Sequence, residues 1–223
     1  IVREEYQAAG MTPEMLRTGA VIITGETARK ENANEVLEAL SDLAGDFVVA
    51  TAGPDLESVL SARGAGTDAL SKEKRTAIAN VDIGGGTTDI AVITLGGMAC
   101  STSLKLAGDA LTAAVQRFVQ EKYQIVVGEN MAERIKIALG SVAPLPVPLS
   151  FEVSGKDLAT ASPRTIALSD TDTREAFQPI TEKLVSAVMG ILEVTPPELG
   201  ADIMRQGMLL TGGGALLRGF ADR

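Results

Sequence analysis

The stretch that decides the fold reads Asp82-Ile83-Gly84-Gly85-Gly86-Thr87-Thr88-Asp89. Apolar runs at residues 78–83 and 90–93 flank its three glycines and predict two strands joined by a tight turn. Glycines in such a turn adopt positive φ readily and leave backbone N–H groups uncovered. A plain β-hairpin is the alternative, but consecutive glycines weaken a strand pair and provide no side chain for packing. The cluster therefore predicts a phosphate-binding turn.

The polar residues beside these glycines suit a phosphate tail that carries its metal ion. Thr87 and Thr88 add hydroxyl donors. Asp82 supplies a hard oxygen ligand of the kind that Mg²⁺ binds, directly or through water. Backbone amides, hydroxyls and one carboxylate are together what such a ligand needs. We therefore expect this turn to bind a phosphate chain with magnesium.

A second glycine cluster lies near the C-terminus and reads Leu210-Thr211-Gly212-Gly213-Gly214-Ala215-Leu216-Leu217-Arg218-Gly219. Residues 208–211 predict a buried strand, and residues 215–217 predict the start of a helix. The glycines between them would let the backbone approach a flat ligand closely. A strand–turn–helix connection without chemical meaning explains this cluster equally well by itself, and its pairing with the first cluster favours a ligand. This second cluster matches neither the dinucleotide fingerprint G-x-G-x-x-G nor a Walker loop.

Composition narrows the classes of function. The chain of 223 residues is 45% hydrophobic and can bury a large core. Its net charge of −9, without any run of Lys or Arg, argues against a nucleic-acid partner. The absence of histidine excludes Ser-His catalysis and zinc sites built on His. The single Cys100, with no visible signal peptide and no apolar stretch of transmembrane length, predicts a cytoplasmic protein.

The hydrophobic periodicity predicts an α/β chain in which short strands alternate with amphipathic helices. Residues 62–74 are rich in Gly, Ala and Lys and are predicted to be a loop, and residues 144–148 form a proline-rich joint. Strands are predicted at residues 20–24, 47–50, 78–83, 90–95, 98–106, 149–153, 164–168 and 208–211. Helices are predicted at residues 2–9, 109–123, 131–139 and 173–193, and from Asn34 and Pro54.

The two glycine clusters resemble loops of the actin/Hsp70/sugar-kinase superfamily of ATPases, and the resemblance is divided between two families. Residues 2–80 resemble the ethanolamine ammonia-lyase reactivating factor. From residue 82 onward the chain is instead similar to the bacterial actin homologue that determines rod shape. This division makes the chain look like a mosaic. The first glycine cluster is common to both families, so it does not mark the exact position of the join. The first resemblance is carried by residues 5–10 (Glu-Tyr-Gln-Ala-Ala-Gly), 19–29, 45–54 and 56–59. The second is carried by residues 82–92, 132–136 (Ala-Glu-Arg-Ile-Lys), 140–141, 196–199 and 207–218, with a weaker match at residues 183–189.

The resemblance implies a role for each candidate site residue. Glu133 would hold ribose hydroxyls and Lys136 would lie near adenine, although their spacing alone indicates an ordinary (i, i+3) surface pair. Asp82 would organise Mg²⁺ and the attacking water. The other positions would hold ATP: Gly84, Gly85, Gly86 and Thr87 at the β and γ phosphates, Gly213 and Gly214 beside adenosine, and Thr88 and Gly212 as further members of the two clusters.

The resemblance also implies an actin-like (ribonuclease H-like) ATPase fold of the α/β class, with two lobes. We expect a partial first lobe at residues 1–76 and a second lobe at residues 77–223, with an inserted β unit at about residues 142–172. The first phosphate loop of the superfamily would precede Ile1. We therefore expect the first lobe to be incomplete and the chain to be a piece of a longer protein.

One departure from the rod-shape actins bears on catalysis. In those proteins a Glu that positions the hydrolytic water precedes the proline of the segment matching Ala52-Gly53-Pro54. This chain has Ala52 and Gly53 there, as in the reactivating factor, and its nearby acids Asp55 and Glu57 are offset. We therefore expect ATP turnover to be slow or absent, although ATP binding can remain.

The sequence thus predicts an ATP-binding, Mg²⁺-dependent module that acts by nucleotide-dependent closure of two lobes, in the manner of a bacterial cell-shape actin. Two alternatives stay open. One is a chaperone-like ATPase that reactivates ethanolamine ammonia-lyase, and the other is a scaffold that no longer hydrolyses ATP. The first interpretation implies self-association into filaments, and the reactivating factor implies a cobalamin-dependent lyase as partner. None of the three implies a nucleic acid or a transmembrane segment.

Overall fold

The computed structural model describes residues 2–12, 15, 20–23, 35, 48–51, 54–95 and 97–222. Its contacts divide the chain into two units, Ile1–Glu57 and Ser58–Arg223. All the candidate site residues belong to the second unit. The boundary between lobes near residue 76 stays a prediction.

Among its described residues, the first unit contains an N-terminal helix, one pair of strands and the start of the helix that begins at Pro54. Helix α1 (Val2–Ala8) agrees with the helix predicted at residues 2–9. Strands β1 (Ala20–Ile23) and β2 (Val48–Thr51) pair in parallel, with Ala20 opposite Val48. Both strands were expected from their apolar runs. The helix predicted from Asn34 lies outside the described residues, apart from Glu35.

Two helices precede the central sheet of the second unit. Helix α2 (Pro54–Gly64) begins at the proline predicted for its first turn, where the missing N–H would have had no partner in the helix. Helix α3 (Thr67–Lys74) lies within residues 62–74, so the loop predicted there is wrong. Its buried side chains are Thr67 and Ser71, which are polar. A helix with a polar buried face gives no apolar periodicity, and the sequence therefore did not reveal it.

Strands β3 (Ile78–Ile83), β4 (Thr88–Thr94) and β5 (Gly97–Leu104) form an antiparallel meander. The first glycine cluster is the turn between β3 and β4, as predicted. Strands β3 and β4 are buried along nearly their whole length. That burial explains why both read as continuous apolar runs rather than as alternating ones.

Helices pack on this sheet and a small second sheet follows. Helix α4 (Gly108–Tyr123) leads into β6 (Ile125–Val126), and helix α5 (Glu129–Leu139) comes next. Strands β7 (Ser150–Asp157) and β8 (Pro163–Ser169) form a hairpin, and the sheet order is β6–β7–β8. The helices predicted at 109–123 and 131–139 and the strands predicted near 149–153 and 164–168 are confirmed.

Helix α6 (Asp170–Val194) closes the core of the second unit. Ser169 and Asp172 form a capping box at its start, in which each side chain satisfies a backbone N–H of the other residue. The predicted inward residues Ile180, Leu184 and Ile191 are buried, whereas Val188 is only partly buried. Each fully buried aliphatic or aromatic side chain contributes about 1.5–3 kcal/mol. The largest side chains that are fully buried across the sheet and helices include Phe177, Ile83, Ile90, Ile135 and Val115.

The chain returns to the central sheet through its C-terminal elements. Helix α7 (Pro197–Gln206) precedes β9 (Met208–Thr211), which pairs in parallel with β3 and completes the order β5–β4–β3–β9. The helix expected to start at residues 215–217 is instead a single 3-10 turn, Gly213–Leu216. The backbone becomes extended after this turn because Arg218 forms a parallel β-bridge with Ser141. The Arg218 carbonyl also accepts a hydrogen bond of 2.9 Å from the Val142 N–H.

None of the helices in the described ranges combines the length and the apolar character that a membrane-crossing helix needs.

Candidate functional site

A cleft of about 720 Å³ in the second unit brings the two glycine clusters together. The turn after β3 contributes Gly84 and Gly85, and the 3-10 turn contributes Gly213 and Gly214. Helices α4 and α5 form the remaining walls. The residues that line the cleft from these helices and from the segments after them are Gly108, Asp109, Leu111, Thr112, Glu129, Asn130, Glu133, Lys136, Ile137, Gly140, Leu216, Leu217 and Arg218.

The first glycine turn is fastened to the start of helix α4. The Gly84 N–H donates to the Thr87 carbonyl at 2.9 Å and closes the turn. The Gly84 and Gly85 carbonyls accept hydrogen bonds from the N–H groups of Gly108 and Asp109, at 3.0 and 2.8 Å. Two amides of the helix start, which have no acceptor within the helix, are thereby satisfied. Because its carbonyls point to the helix, the turn is fixed in place beside the cleft.

The hydroxyl and carboxylate groups near this turn lie deeper than the turn itself. Thr88 is buried and donates to the Leu106 carbonyl at 2.7 Å, so its hydroxyl is directed into the protein. Thr87 is half-buried and hydrogen-bonds to Asp89. Asp82 is half-buried and accepts a hydrogen bond of 2.5 Å from the Ser61 hydroxyl. Of the residues predicted to bind the phosphates and the metal ion, Gly84 and Gly85 therefore line the cleft, and they do so with their backbone.

The second glycine cluster owes part of its composition to packing against β3. Gly212 has φ of 79°, and a Cβ there would collide with Oδ1 of Asp82 and the carbonyl of Ile83. A Cβ on Gly214 would collide with the Ile83 side chain. Gly213 has open space at the same position. Packing against β3 thus requires glycine at two of the three positions. At Gly213 packing does not require glycine, so this glycine alone is free to serve a ligand.

Glu133 and Lys136 are more than a surface pair. Their side chains form a salt bridge of 2.6 Å in which Lys136 is 16% exposed and Glu133 is 43% exposed. The neighbouring helix α4 holds both ends, because the Thr112 hydroxyl donates to Oε2 of Glu133 at 2.5 Å and Lys136 Nζ donates to the Gly108 carbonyl at 3.2 Å. This arrangement fixes one carboxylate edge towards the protein.

The charge state of Glu133 follows from these contacts. Burial acts to raise the pKa of its carboxyl, but the hydrogen bonds from Lys136 and Thr112 outweigh burial and lower the pKa below its usual value. The group is therefore an anion near neutral pH and can only accept hydrogen bonds. It can therefore accept hydrogen bonds from donor groups of a ligand in the cleft.

Sequence reasoning missed several side chains of the cleft. Asp109 lies at the start of α4, where a Cβ on Gly85 would be 3.6 Å from its Oδ1. An acid directly after a glycine at a helix start is a readable signal for this position. Thr112 gave no signal, since its partner Glu133 lies 21 residues away. Arg218 Nη1 donates to the Gly140 carbonyl at 3.2 Å and so holds the end of helix α5 beside the cleft.

Carboxylates are spread along the cleft rather than gathered into a cage. No group of three or more acidic or cysteine side chains that could hold a metal occurs among the described residues. Mg²⁺ is commonly held by one or two carboxylates and substrate phosphates while it keeps several waters. The donor set around Asp82 and the first glycine turn fits that mode of binding and does not fit an all-protein site.

The family model of the ethanolamine utilisation protein EutA matches residues 1–141, which is more than half of the chain. The chain belongs to this family. The match to EutA extends beyond residue 82 and includes the first glycine cluster and helix α5.

Beyond its membership of the EutA family, the chain is similar to cell-shape proteins. It is 45% identical over 140 residues to the cell shape-determining protein Mbl of Bacillus cereus, an alignment that covers 63% of this chain and 42% of Mbl. It is 44% identical over 162 residues to the cell shape-determining protein MreB of Escherichia coli, covering 73% of this chain and 46% of MreB. The chain thus spans less than half the length of either relative.

A solved structure shows the same architecture. The crystal structure of MreB 5 of Spiroplasma citri bound to AMPPNP matches with a TM-score of 0.74 and 30% identity, over 90% of this chain and 58% of that protein. The predicted actin-like α/β fold is therefore confirmed, and so is the resemblance to both the EutA and the MreB families.

Proposed function

We propose that this chain is an ATP-binding module of the actin-like fold that acts through nucleotide-dependent closure and self-association, as a bacterial cell-shape actin. The observation that carries the proposal is the single cleft that joins Gly84 and Gly85, the Glu133–Lys136 pair, and Gly213 and Gly214. Three segments far apart in sequence converge there. Its volume of about 720 Å³ lies in the range of small-molecule sites.

The phosphate end of the nucleotide would lie at the first glycine turn. The exposed Gly85 and Gly86 present backbone to the ligand, and the turn is held rigidly by α4. Asp82 would hold Mg²⁺ from the interior side, directly or through water. When bound, the ion would neutralise phosphate charge and polarise the terminal phosphoryl group. Asp109 is a second carboxylate at this end, and a cation between it and the phosphates would relieve their repulsion.

The nucleoside end would lie between helix α5 and the 3-10 turn. Glu133 is anionic and is held by Thr112 and Lys136, so it can accept hydrogen bonds from the ribose hydroxyls. Gly213 has open space above its Cα and would let the adenosine approach the backbone. The MreB 5 structure that matches this chain is bound to AMPPNP, which supports nucleotide binding by this fold.

The test of nucleotide binding uses two charge-matched variants. Gly85→Asp puts a negative charge into the proposed phosphate turn, where a Cβ meets Asp109 at an ordinary van der Waals distance. Gly190→Asp adds the same charge on the exposed face of α6, away from the cleft. Calorimetric titration with MgATP should show binding by the unmodified chain and by Gly190→Asp, and loss of binding by Gly85→Asp. No binding by the unmodified chain, or equal binding by both variants, would refute the proposal.

Self-association is tested by sedimentation at several protein concentrations. The similarity to Mbl and MreB supports an assembly that grows with concentration and responds to MgATP. The fraction of protein in the pellet should rise steeply above a threshold concentration with MgATP and fall with Gly85→Asp. A monomer at all concentrations, with MgATP bound, would leave the binding proposal standing and reject the filament.

A second candidate function is favoured by the family match. Residues 1–141 match the model of the ethanolamine utilisation protein EutA, and this supports a chaperone-like ATPase that acts on ethanolamine ammonia-lyase. Such a protein should associate with the cobalamin-dependent lyase and release damaged cofactor from it when MgATP is supplied. Co-sedimentation with the purified lyase distinguishes this function from self-association, because a filament protein forms pellets without the lyase. A scaffold that has lost hydrolysis would bind MgATP and release no phosphate.

A further inference from the structure

We propose that Thr67, Asn80 and Ser61 form a directed hydrogen-bond chain that positions the carboxylate of Asp82 for magnesium. The inference rests on the proposed function, since it requires Asp82 to serve a nucleotide-bound Mg²⁺. It assigns a positioning role to three side chains from helices α2 and α3 and strand β3. None of the three lines the cleft itself.

The chain runs in one direction from donor to acceptor. The Thr67 hydroxyl donates to Oδ1 of Asn80 at 3.0 Å. Nδ2 of Asn80 donates to the Ser61 hydroxyl at 3.4 Å, and that hydroxyl donates to Oδ2 of Asp82 at 2.5 Å. Each central group accepts one hydrogen bond and donates the next, so each bond polarises the following one. The whole sequence of donors ends on the carboxylate.

Burial makes this chain rigid. Thr67 is 0% exposed and Asn80 is 1% exposed. Unpaired polar groups are costly at such positions, because water cannot replace a lost partner. Among the described residues, no buried side-chain nitrogen or oxygen lacks a hydrogen-bond partner. A network in which every member is satisfied holds its side chains in one arrangement.

The other oxygen of Asp82 is also confined. Oδ1 lies against the backbone of Gly212, where there is no space for a Cβ. Nδ2 of Asn80 also reaches the hydroxyl of Thr211, at 3.5 Å, which joins the network to the second glycine cluster. One oxygen of the carboxylate is therefore bonded by Ser61 of α2, and the other lies against Gly212, directly after β9.

A network with only a structural role would explain why Thr67 and Asn80 are buried. It would not explain why the chain of donors ends at the carboxylate of Asp82. Its last donor points at a carboxylate oxygen of Asp82, the proposed metal residue, instead of at a backbone carbonyl. A ligand group that is already oriented loses less conformational freedom when the metal binds. We therefore expect the Ser61 hydroxyl to act on the magnesium-dependent part of nucleotide affinity, and to leave the magnesium-independent part unchanged.

Helix α2 provides a matched control one turn earlier. Ser58 is buried, as its 2% exposure shows, and its hydroxyl donates to Oδ1 of Asp89 at 3.5 Å. Ser58→Ala removes the same group from the same helix, at a hydroxyl that donates to Asp89. Ser61→Thr keeps the hydroxyl and tests rescue. Thr67→Val removes the first donor of the chain at constant side-chain shape.

The experiment titrates each variant of the 223-residue chain with ATP, once with Mg²⁺ and once with EDTA. Ser61→Ala should lose roughly tenfold of the enhancement that Mg²⁺ gives to ATP affinity, the scale of one hydrogen bond to a charged group. Its affinity in EDTA should be unchanged. Ser61→Thr and Ser58→Ala should keep the enhancement, and Thr67→Val should lose part of it. Asp82→Ala is the reference and should lose nearly all of it.

The outcomes separate this inference from the function on which it rests. If Asp82→Ala removes the magnesium enhancement while Ser61→Ala and Thr67→Val both keep it, the positioning role is rejected and the proposed function stands. Equal losses by Ser61→Ala in magnesium and in EDTA also reject the positioning role, since they indicate a general loss of structure. If the unmodified chain does not bind ATP, or if Asp82→Ala keeps the full enhancement, the assigned role of Asp82 is overturned together with this inference.

Discussion

Asp82 and Asp89 lie directly opposite each other in the antiparallel pairing of β3 with β4, and of the two only Asp89 is buried. Burial raises the pKa of the Asp89 carboxyl. Hydrogen bonds from Ser103, Thr87 and Ser58 lower it, the charge of Asp82 raises it further, and the net pKa is above the usual value. The two facing acids therefore differ in environment although they share one side of the sheet.

The raised pKa of Asp89 predicts a pH-dependent loss of stability. Above pH 3.8, the ordinary pKa of Asp, the unfolded chain releases the proton while the folded chain still holds it, so the free energy of unfolding falls as the pH rises to the native pKa. Asp89→Asn cannot ionise and escapes this loss. Its stability relative to the unmodified chain should therefore increase with pH. Urea unfolding in EDTA at several pH values measures the difference.

Asp157 supplies a control of opposite sign. A hydrogen bond from the Thr160 backbone and then one from Arg164 lower its pKa from 3.8 to about 2. Its stabilising effect is present above pH 3.8 and is lost as the pH falls through about 2. Asp157→Asn should thus lose stability relative to the unmodified chain as the pH rises from 3 to 5. The same trend in both variants would contradict the assigned environments.

Neighbouring glycines of the second cluster should respond differently to one added methyl group. A Cβ on Gly214 would lie 2.7 Å from Cβ of Ile83, whereas Gly213 has open space. We expect Gly214→Ala to cost about 1–3 kcal/mol of unfolding free energy through overpacking, and Gly213→Ala to stay within about 0.5 kcal/mol. Urea denaturation of both variants without nucleotide measures this. Equal stability of the two variants would show that Ile83 in β3 shifts to make room for the added methyl group.

Most strands were predictable from the sequence because their buried side chains are apolar. Helix α3 was missed because its buried side chains are polar. Val81 and Ile90 mark β3 and β4 as interior strands. Thr67 and Ser71 are as deeply buried, but hydrogen bonds to Asn80 and to the Thr76 carbonyl hold them. Partners of that kind are set by tertiary structure, so no periodicity in residues 62–74 reveals the helix.

The candidate site could be predicted where the backbone geometry requires a particular residue type. It could not be predicted where side chains far apart in the sequence come into contact. Both glycine clusters were visible because a turn and a close approach to Ile83 require glycine. Glu133 and Lys136 followed only from the family resemblance. Thr112 and Ser61 were not found, since each acts on an acid about 21 residues away through a contact that only the packed helices create.

The hydroxyl-accepting role proposed for Glu133 predicts a dependence on the sugar. Glu133→Ala should weaken ATP binding by roughly tenfold, because an ionised acceptor of hydrogen bonds is lost. Binding of 2′,3′-dideoxy-ATP, which has no ribose hydroxyls to donate, should be nearly unaffected. Calorimetric titration of both nucleotides gives the two ratios. Glu129→Ala, a second acid that lines the cleft, is the control and should not distinguish the sugars. Equal losses for both nucleotides would place Glu133 away from the ribose.

The segment before helix α2 predicts slow ATP hydrolysis that one substitution should restore. Ala52 and Gly53 lie outside the described residues, and their sequence lacks the Glu that positions water in the rod-shape actins. One missing orienting group lowers phosphoryl-transfer rates by roughly two orders of magnitude, since that chemistry depends on positioning. Gly53→Glu should therefore raise steady-state phosphate release while MgATP affinity stays similar, and Gly53→Gln, of the same size, should not. Rapid hydrolysis by the unmodified chain that survives the loss of Asp55 and Glu57 would show that the water is held elsewhere.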